Sequence, residues 1–87
     1  MAYPRAYENL AWKYDRIRVV LFTDNETRIG SYYWDRALAD HMTVADFIRI
    51  RVLPVIEGKC EFAIIDGTGE QPNGHTKLRT LRASYKH

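Results

Sequence analysis

Few side chains in this 87-residue chain are suited to acid–base, nucleophilic or metal chemistry, so their spacing decides what they can do. The three histidines, His41, His75 and His87, fall in a connection, a loop and the terminus. None has the i, i+4 partner that puts two metal-binding histidines on one helix face, and there is no HExxH motif or Cys/His cluster. Cys60 is the single cysteine, which excludes an intramolecular disulfide and a multi-cysteine zinc site. It lies in the apolar run 60–65, where a packed thiol is expected rather than a nucleophile. Ser31, Asp40 and His41 supply the residue types of a hydrolase triad, but nothing in their spacing brings them together. Asp66-Gly67-Thr68 follows an apolar run as a phosphatase nucleophile would. The second aspartate of such a motif is missing, and Asp-Gly after a strand reads as a turn. The glycines of the 66–75 loop come without the lysine and Ser/Thr of a P-loop. A non-enzyme without metal or cofactor is the expectation.

Two other groups of residues are suited to binding. If 27–34 is a strand, Ile29, Ser31 and Tyr33 share one face and Arg28, Tyr32 and Trp34 the other. An outward aromatic row beside Arg28 and Arg36 has the composition of a protein-interface anchor and also of a base-stacking platform. Tyr32, Trp34, Arg36, Arg49 and Arg51 are therefore the expected partner-binding residues. The second group is C-terminal: no acidic residue follows Glu70, whereas Lys77, Arg79, Arg82 and Lys86 do. On a strand, alternation would put Lys77 and Arg79 on one face with Tyr85, a surface able to track phosphates. Basic residues on an edge strand also prevent edge-to-edge aggregation, which explains them without nucleic acid. A net charge of +2 favours neither reading.

These residues must be positioned by elements built around the stretch 43–65, the densest run of large apolar side chains. Val44, Phe47, Ile48, Val52 and Val55 fall on one helical stripe, interrupted by Arg51, whose charged head can snorkel at the stripe's edge. Thr43 is a good N-cap, Asp46 a shortened capping-box partner, and Pro54 and Gly58 supply a stop. These features predict a helix from Thr43 to about Leu53. The β-branched residues of the same stretch support a strand over 48–52 instead. Residues 15–22 read as a strand, with Ile17, Val19 and Leu21 facing one side. Thr23-Asp24-Asn25-Glu26 is turn chemistry leading to the 27–34 strand, so a β-hairpin is expected. Cys60–Ile65 and a poorer run, 77–85, read as further strands around the polar 66–75 loop. Residues 1–14 form an ordered arm or a short helix, since Tyr7, Leu10 and Tyr14 have helical spacing.

The length permits one domain, 1–87, with a core over 15–85. There is no basic-then-apolar leader and no apolar run long enough to span a bilayer, so a cytoplasmic setting without membrane contact is expected. With the helical reading of 43–53, the class is α+β: hairpin, central helix and two further strands in one mixed sheet, the β-grasp order. Three segments resemble the autophagy ubiquitin-like modifiers. Trp12-Lys-Tyr-Asp-Arg-Ile-Arg-Val-Val20 is similar to their lead-in to the first strand. Met42-Thr-Val-Ala-Asp-Phe-Ile-Arg49 is similar to the start of their central helix, and Cys60-Glu-Phe-Ala-Ile-Ile65 to the strand after it. The resemblance implies a non-enzymatic binding role. It does not extend to conjugation, because the chain ends Ser84-Tyr85-Lys86-His87 without a terminal glycine. Arg36 and Ala37 stand near the place of the family's peptide-docking aromatic-aliphatic pair. The expected function is a small protein-interaction module that binds or inhibits a larger partner through a strand edge. The alternative is a nucleic-acid binder using the C-terminal basic residues.

Overall fold

The computed structural model describes residues 3–32 and 36–85. The fold is α+β, with three helical elements packed around one antiparallel strand pair. Helix α1 (Pro4–Leu10) has proline in its first turn, where the missing N–H costs nothing, and buries Pro4 and Tyr7. It runs on as a π-helical turn, Ala11–Asp15, and stops at Arg16, which is left-handed at φ 59°. The Arg16 and Ile17 amides donate back to the Trp12 and Ala11 carbonyls, closing the helix end as a Schellman-type cap does. Strand β1 (Arg18–Phe22) then pairs with β2 (Glu61–Ile65), Val20 opposite Ala63.

Between the strands runs α2, in three segments: Val44–Phe47 in α geometry, Ile48–Val52 in π geometry and Leu53–Ile56 in α geometry again. The helical reading of this stretch holds, and so does its start. The Asp46 amide donates to Thr43 Oγ1 at 3.2 Å and the Thr43 amide to Asp46 Oδ2 at 3.1 Å, a complete capping box. Pro54 does not end the helix. It has no N–H to give the Ile50 carbonyl, and the ladder shifts to π bonding in the turn before it. The stop is two left-handed residues, Glu57 and Gly58.

Two expected strands are not formed. Residues 77–85 hold α3 (Leu78–Ser84), because Leu78, Leu81 and Tyr85 follow a helical period, and Leu78 and Leu81 are buried. Residues 27–32 contain no strand, so the hairpin expected over 15–34 is absent from the described residues. The cause lies at the outer edge of β1, where Glu8 Oε2 accepts from the Leu21 amide at 2.7 Å and Arg5 Nη2 donates to the Leu21 carbonyl at 3.3 Å. Two side chains of α1 thus occupy the rung that a hairpin partner needs. The 27–32 segment turns to α2 instead: Ile29 is buried and the Gly30 amide donates to the Val55 carbonyl at 2.9 Å. A Cβ at Gly30 would stand 3.3 Å from that same oxygen, a close approach that glycine permits. Among the described residues the sheet is accordingly a two-stranded antiparallel pair, and the expected four-stranded mixed sheet is not shown. Its inner face, Val19, Leu21 and Ile64, meets Phe47, Val52, Val55, Leu78 and Leu81 in the core. Among the described residues no helix is long and apolar enough to cross a membrane.

Candidate binding surface

The site is positioned from inside by a buried charge. Asp15 is fully enclosed where the π-helical turn ends. Its Oδ1 accepts from the Leu38 amide at 2.8 Å and its Oδ2 from the Tyr32 hydroxyl. Arg51 Nε lies 3.2 Å from Oδ2 and Arg82 Nη2 3.7 Å from Oδ1, while Arg82 Nε donates to the Asp15 carbonyl at 2.9 Å. Burial pushes the Asp15 carboxyl above its ordinary range, against the Leu38 amide and the two guanidiniums, which pull it down. Three distant parts of the chain (the end of α1, α2 and α3) are held in register by this one carboxylate.

Outside this cluster the surface is concave. Trp12, Arg16, Arg82, Ala83 and Tyr85 line a pocket of about 380 Å³. Trp12 and Tyr85 meet edge to face with centroids 5.1 Å apart, and Trp12 remains 39% exposed. The Arg18 guanidinium lies 5.4 Å from the Trp12 centroid and 5.9 Å from that of Tyr85. Past Trp12, a groove of about 310 Å³ continues between Glu8 and Asn9 of α1 and Val19 and Val20 of β1. Trp12 belongs to both hollows. Arg18, Val20 and Phe22 alternate onto the outer face of β1, and Phe22 is 59% exposed.

Tyr85 is fixed by the end of the sheet. Its hydroxyl accepts from the Arg18 amide at 3.1 Å and donates to the Ile65 carbonyl, bridging the last rung of the ladder. Burial pushes this phenol up, against the nearby Arg18 amide and charge, so it stays a neutral donor. The end of α3 is seated on Gly67, whose amide donates to Ser84 Oγ at 2.9 Å.

The expected partner-binding residues do not gather on one exposed face. Tyr32 is buried, its ring edge-on to Tyr7 at 5.4 Å and stacked with Tyr14 at 6.3 Å. Arg51 is buried on Asp15 and donates to the Arg36 carbonyl at 2.6 Å. Arg36 and Arg49 are exposed, Arg49 in an ion pair with Asp46 at 3.3 Å. Trp34 lies outside the described residues. Of the C-terminal basic residues, Lys77 and Arg79 are exposed near the start of α3, and Lys86 lies outside the described residues. Arg82 faces the pocket but is held by Asp15 and by Asp40 at 2.6 Å. Trp12, Arg16 and Arg18 carry no site signal in the sequence, and the alternation over 77–85 puts Tyr85 on a strand. The sequence signal for Tyr85 was its helical spacing from Leu78 and Leu81. The pairing of Trp12 with Tyr85 spans nearly the whole chain and leaves no local trace.

Among the described residues no group of three His, Cys, Asp or Glu side chains converges as a metal site requires. Cys60 packs against the core, and burial together with Glu61 pushes its thiol up, away from the reactive thiolate. Comparison with protein-family models, curated proteins and solved structures gives no match to this chain.

Proposed function

We propose that the protein is a small non-catalytic binding module that engages a larger protein partner through the face formed by Trp12, Arg18 and Tyr85. The observation that carries this reading is the aromatic pair, exposed Trp12 and half-buried Tyr85, walling a pocket beside arginines. Aromatic rings held rigidly near a concavity, with guanidinium groups at the rim, are what interface hot spots are made of. The rigidity has visible causes: the Tyr85 hydroxyl is tied to two backbone groups, and Trp12 is braced between Arg18 and Tyr85. Strand addition at the outer edge of β1 is disfavoured, since α1 fills the Leu21 rung. β2 has no strand on its other side among the described residues, which leaves that edge for a partner strand.

The test is affinity capture from lysate with the intact chain and with Trp12→Ala, each with and without nuclease. A discrete protein retained after nuclease and lost with Trp12→Ala supports the module. Capture identical for the two forms removes the named face from the reading. Nucleic-acid binding is the second reading, favoured by the exposed Arg79 three residues before Arg82 on α3, with Arg82 lining the pocket beside the two rings. It predicts capture abolished by nuclease, with a steep loss of affinity in salt.

A further inference from the structure

Charge around the pocket is not balanced. Arg82 is neutralised by Asp15 and Asp40, and Arg5 by Glu8 at 2.7 Å. Arg16 and Arg18 have no carboxylate within ion-pair distance among the described residues, although the chain as a whole is only +2. Lys13, on the same turn as Trp12, places its Nζ 5.3 Å from the centroid of the Tyr14 ring. The carboxylates closest in sequence are spoken for: Asp15 is enclosed, and Glu8 caps the edge of β1. Arg16 is moreover held in the left-handed region, which is strained for a non-glycine residue and which its surroundings must sustain.

We propose that the occupant of this face is an acidic segment of a partner protein, its carboxylates meeting Arg16 and Arg18 and an apolar side chain filling the pocket lined by Trp12, Ala83 and Tyr85. This rests on the binding-module reading and assigns the partner's chemistry. An acidic occupant completes pairs that the fold leaves open. A seated occupant would displace water from the apolar walls, so the charges would act in a lower dielectric than at an open surface. A neutral apolar occupant would bring two guanidiniums near a dry contact with nothing to receive their hydrogens, which is unfavourable. A basic one would be repelled. The groove beyond Trp12 gives an extended segment a path along Val19 and Val20, and Phe22 supplies a further apolar contact on the outer face of β1.

The experiment follows the Trp12 indole and Arg16 and Arg18 side-chain resonances during titration with a blocked peptide of alternating Glu and Phe. Its Lys/Phe counterpart and a short single-stranded DNA are the comparison probes. The acidic peptide is expected to shift all three groups, and the basic peptide none. The double variant Arg16→Glu/Arg18→Glu is expected to bind the acidic peptide about tenfold more weakly or worse. Affinity should fall only several-fold between about 50 and about 500 mM salt, because two charges rather than a row of phosphates are screened. The single variant Arg16→Glu, which leaves the backbone bond from the residue 16 amide to the Trp12 carbonyl in place, guards against a folding defect, and its amide spectrum should match that of the parent. Equal response to both peptides overturns the proposal, as does no response to either, or a response of these groups to DNA alone. If capture depends on Trp12 but not on Arg16 and Arg18, the acidic occupant is refuted and the binding module stands. Capture that does not depend on Trp12 refutes both.

Discussion

Gly67→Ala tests the link between packing and the binding face, because one methyl group at that position meets backbone. Gly67 is not among the residues with positive φ, so its backbone is not the obstacle. A Cβ there would stand 1.6 Å from the Ser84 carbonyl oxygen, where contacts under 3.0 Å essentially never occur. The end of α3 must therefore retreat by about 1.4 Å, since neither backbone can be compressed. That movement carries the Tyr85 hydroxyl, now 3.1 Å from the Arg18 amide, beyond hydrogen-bond reach. Overpacking of this kind costs about 1–3 kcal/mol, and each lost hydrogen bond adds about 0.5–1.5. The loss of chain entropy that favours Ala over Gly is worth only about 0.4–1 kcal/mol and does not reverse the sign. A net destabilisation of about 2–5 kcal/mol is expected, a large share of what a domain this size has. Urea denaturation followed by circular dichroism and tryptophan fluorescence measures it, and Tm should drop by about 10 °C or more. Tyr85→Phe, which removes the bridge without the clash, should show only the hydrogen-bond part, about 1–3 kcal/mol. A Gly67→Ala protein within about 0.5 kcal/mol of the parent would show that α3 does not seat on this glycine, and the rigidity argued for the Trp12–Tyr85 face would fall with it.

Two further outcomes follow from the buried and capped carboxylates. Arg51→Met alone should cost about 3–5 kcal/mol, because Asp15 stays enclosed with less compensation, whereas Asp15→Leu/Arg51→Met should cost less than the single change. Additive losses in that cycle would show the pair to be uncoupled. In acid, Asp46 and Asp66 oppose Asp15. The Thr43 amide and Arg49 hold Asp46 below the usual carboxylate range, and the Thr68 hydroxyl with the Glu70 and Thr68 amides does the same for Asp66. Their contribution is present above the unfolded pKa, about 4, and disappears as pH falls through the folded values. Asp15, pushed up by burial, contributes below its unfolded pKa and loses that contribution as pH rises through the folded one. The stability gap between the parent and Asp46→Asn/Asp66→Asn should therefore narrow from about pH 6 to about pH 2 in urea titrations. A gap that stays constant over that range contradicts the assignment.

What the sequence made legible was local. The capping box at Thr43 and Asp46, the strands at 18–22 and 61–65, and the helical option for the first fourteen residues all follow from spacing and residue type within a few positions. The β-hairpin failed because its evidence was equally local. Turn residues at 23–26 and an alternating run after them do make a hairpin when the edge of the first strand is open. Here Glu8 and Arg5, more than ten residues upstream, already occupy that edge at Leu21. No periodicity within 27–34 can report that. The C-terminal element reads as a strand for a different reason. Leu78, Leu81 and Tyr85 carried the helical period, but basic residues between them suited an edge strand equally well.

Arg51 shows where a local pattern can point beyond itself. An arginine inside an otherwise apolar stripe of α2 has two physical resolutions: the side chain snorkels to solvent, or a distant carboxylate meets it inside. The first was expected from the sequence, and the second is what the chain does, with Asp15 as the partner 36 positions away. The break in the stripe was thus a true signal with an unidentified partner. Arg82 follows the same logic on α3, where it lies one residue beyond the buried Leu81 and turns inward to the same carboxylate. Charged residues that interrupt apolar periods therefore locate the long-range pairs in this fold. Arg16 and Arg18, which interrupt nothing, remain on the outside. The contrast separates two arginines that serve the core from two that the proposed acidic partner would engage.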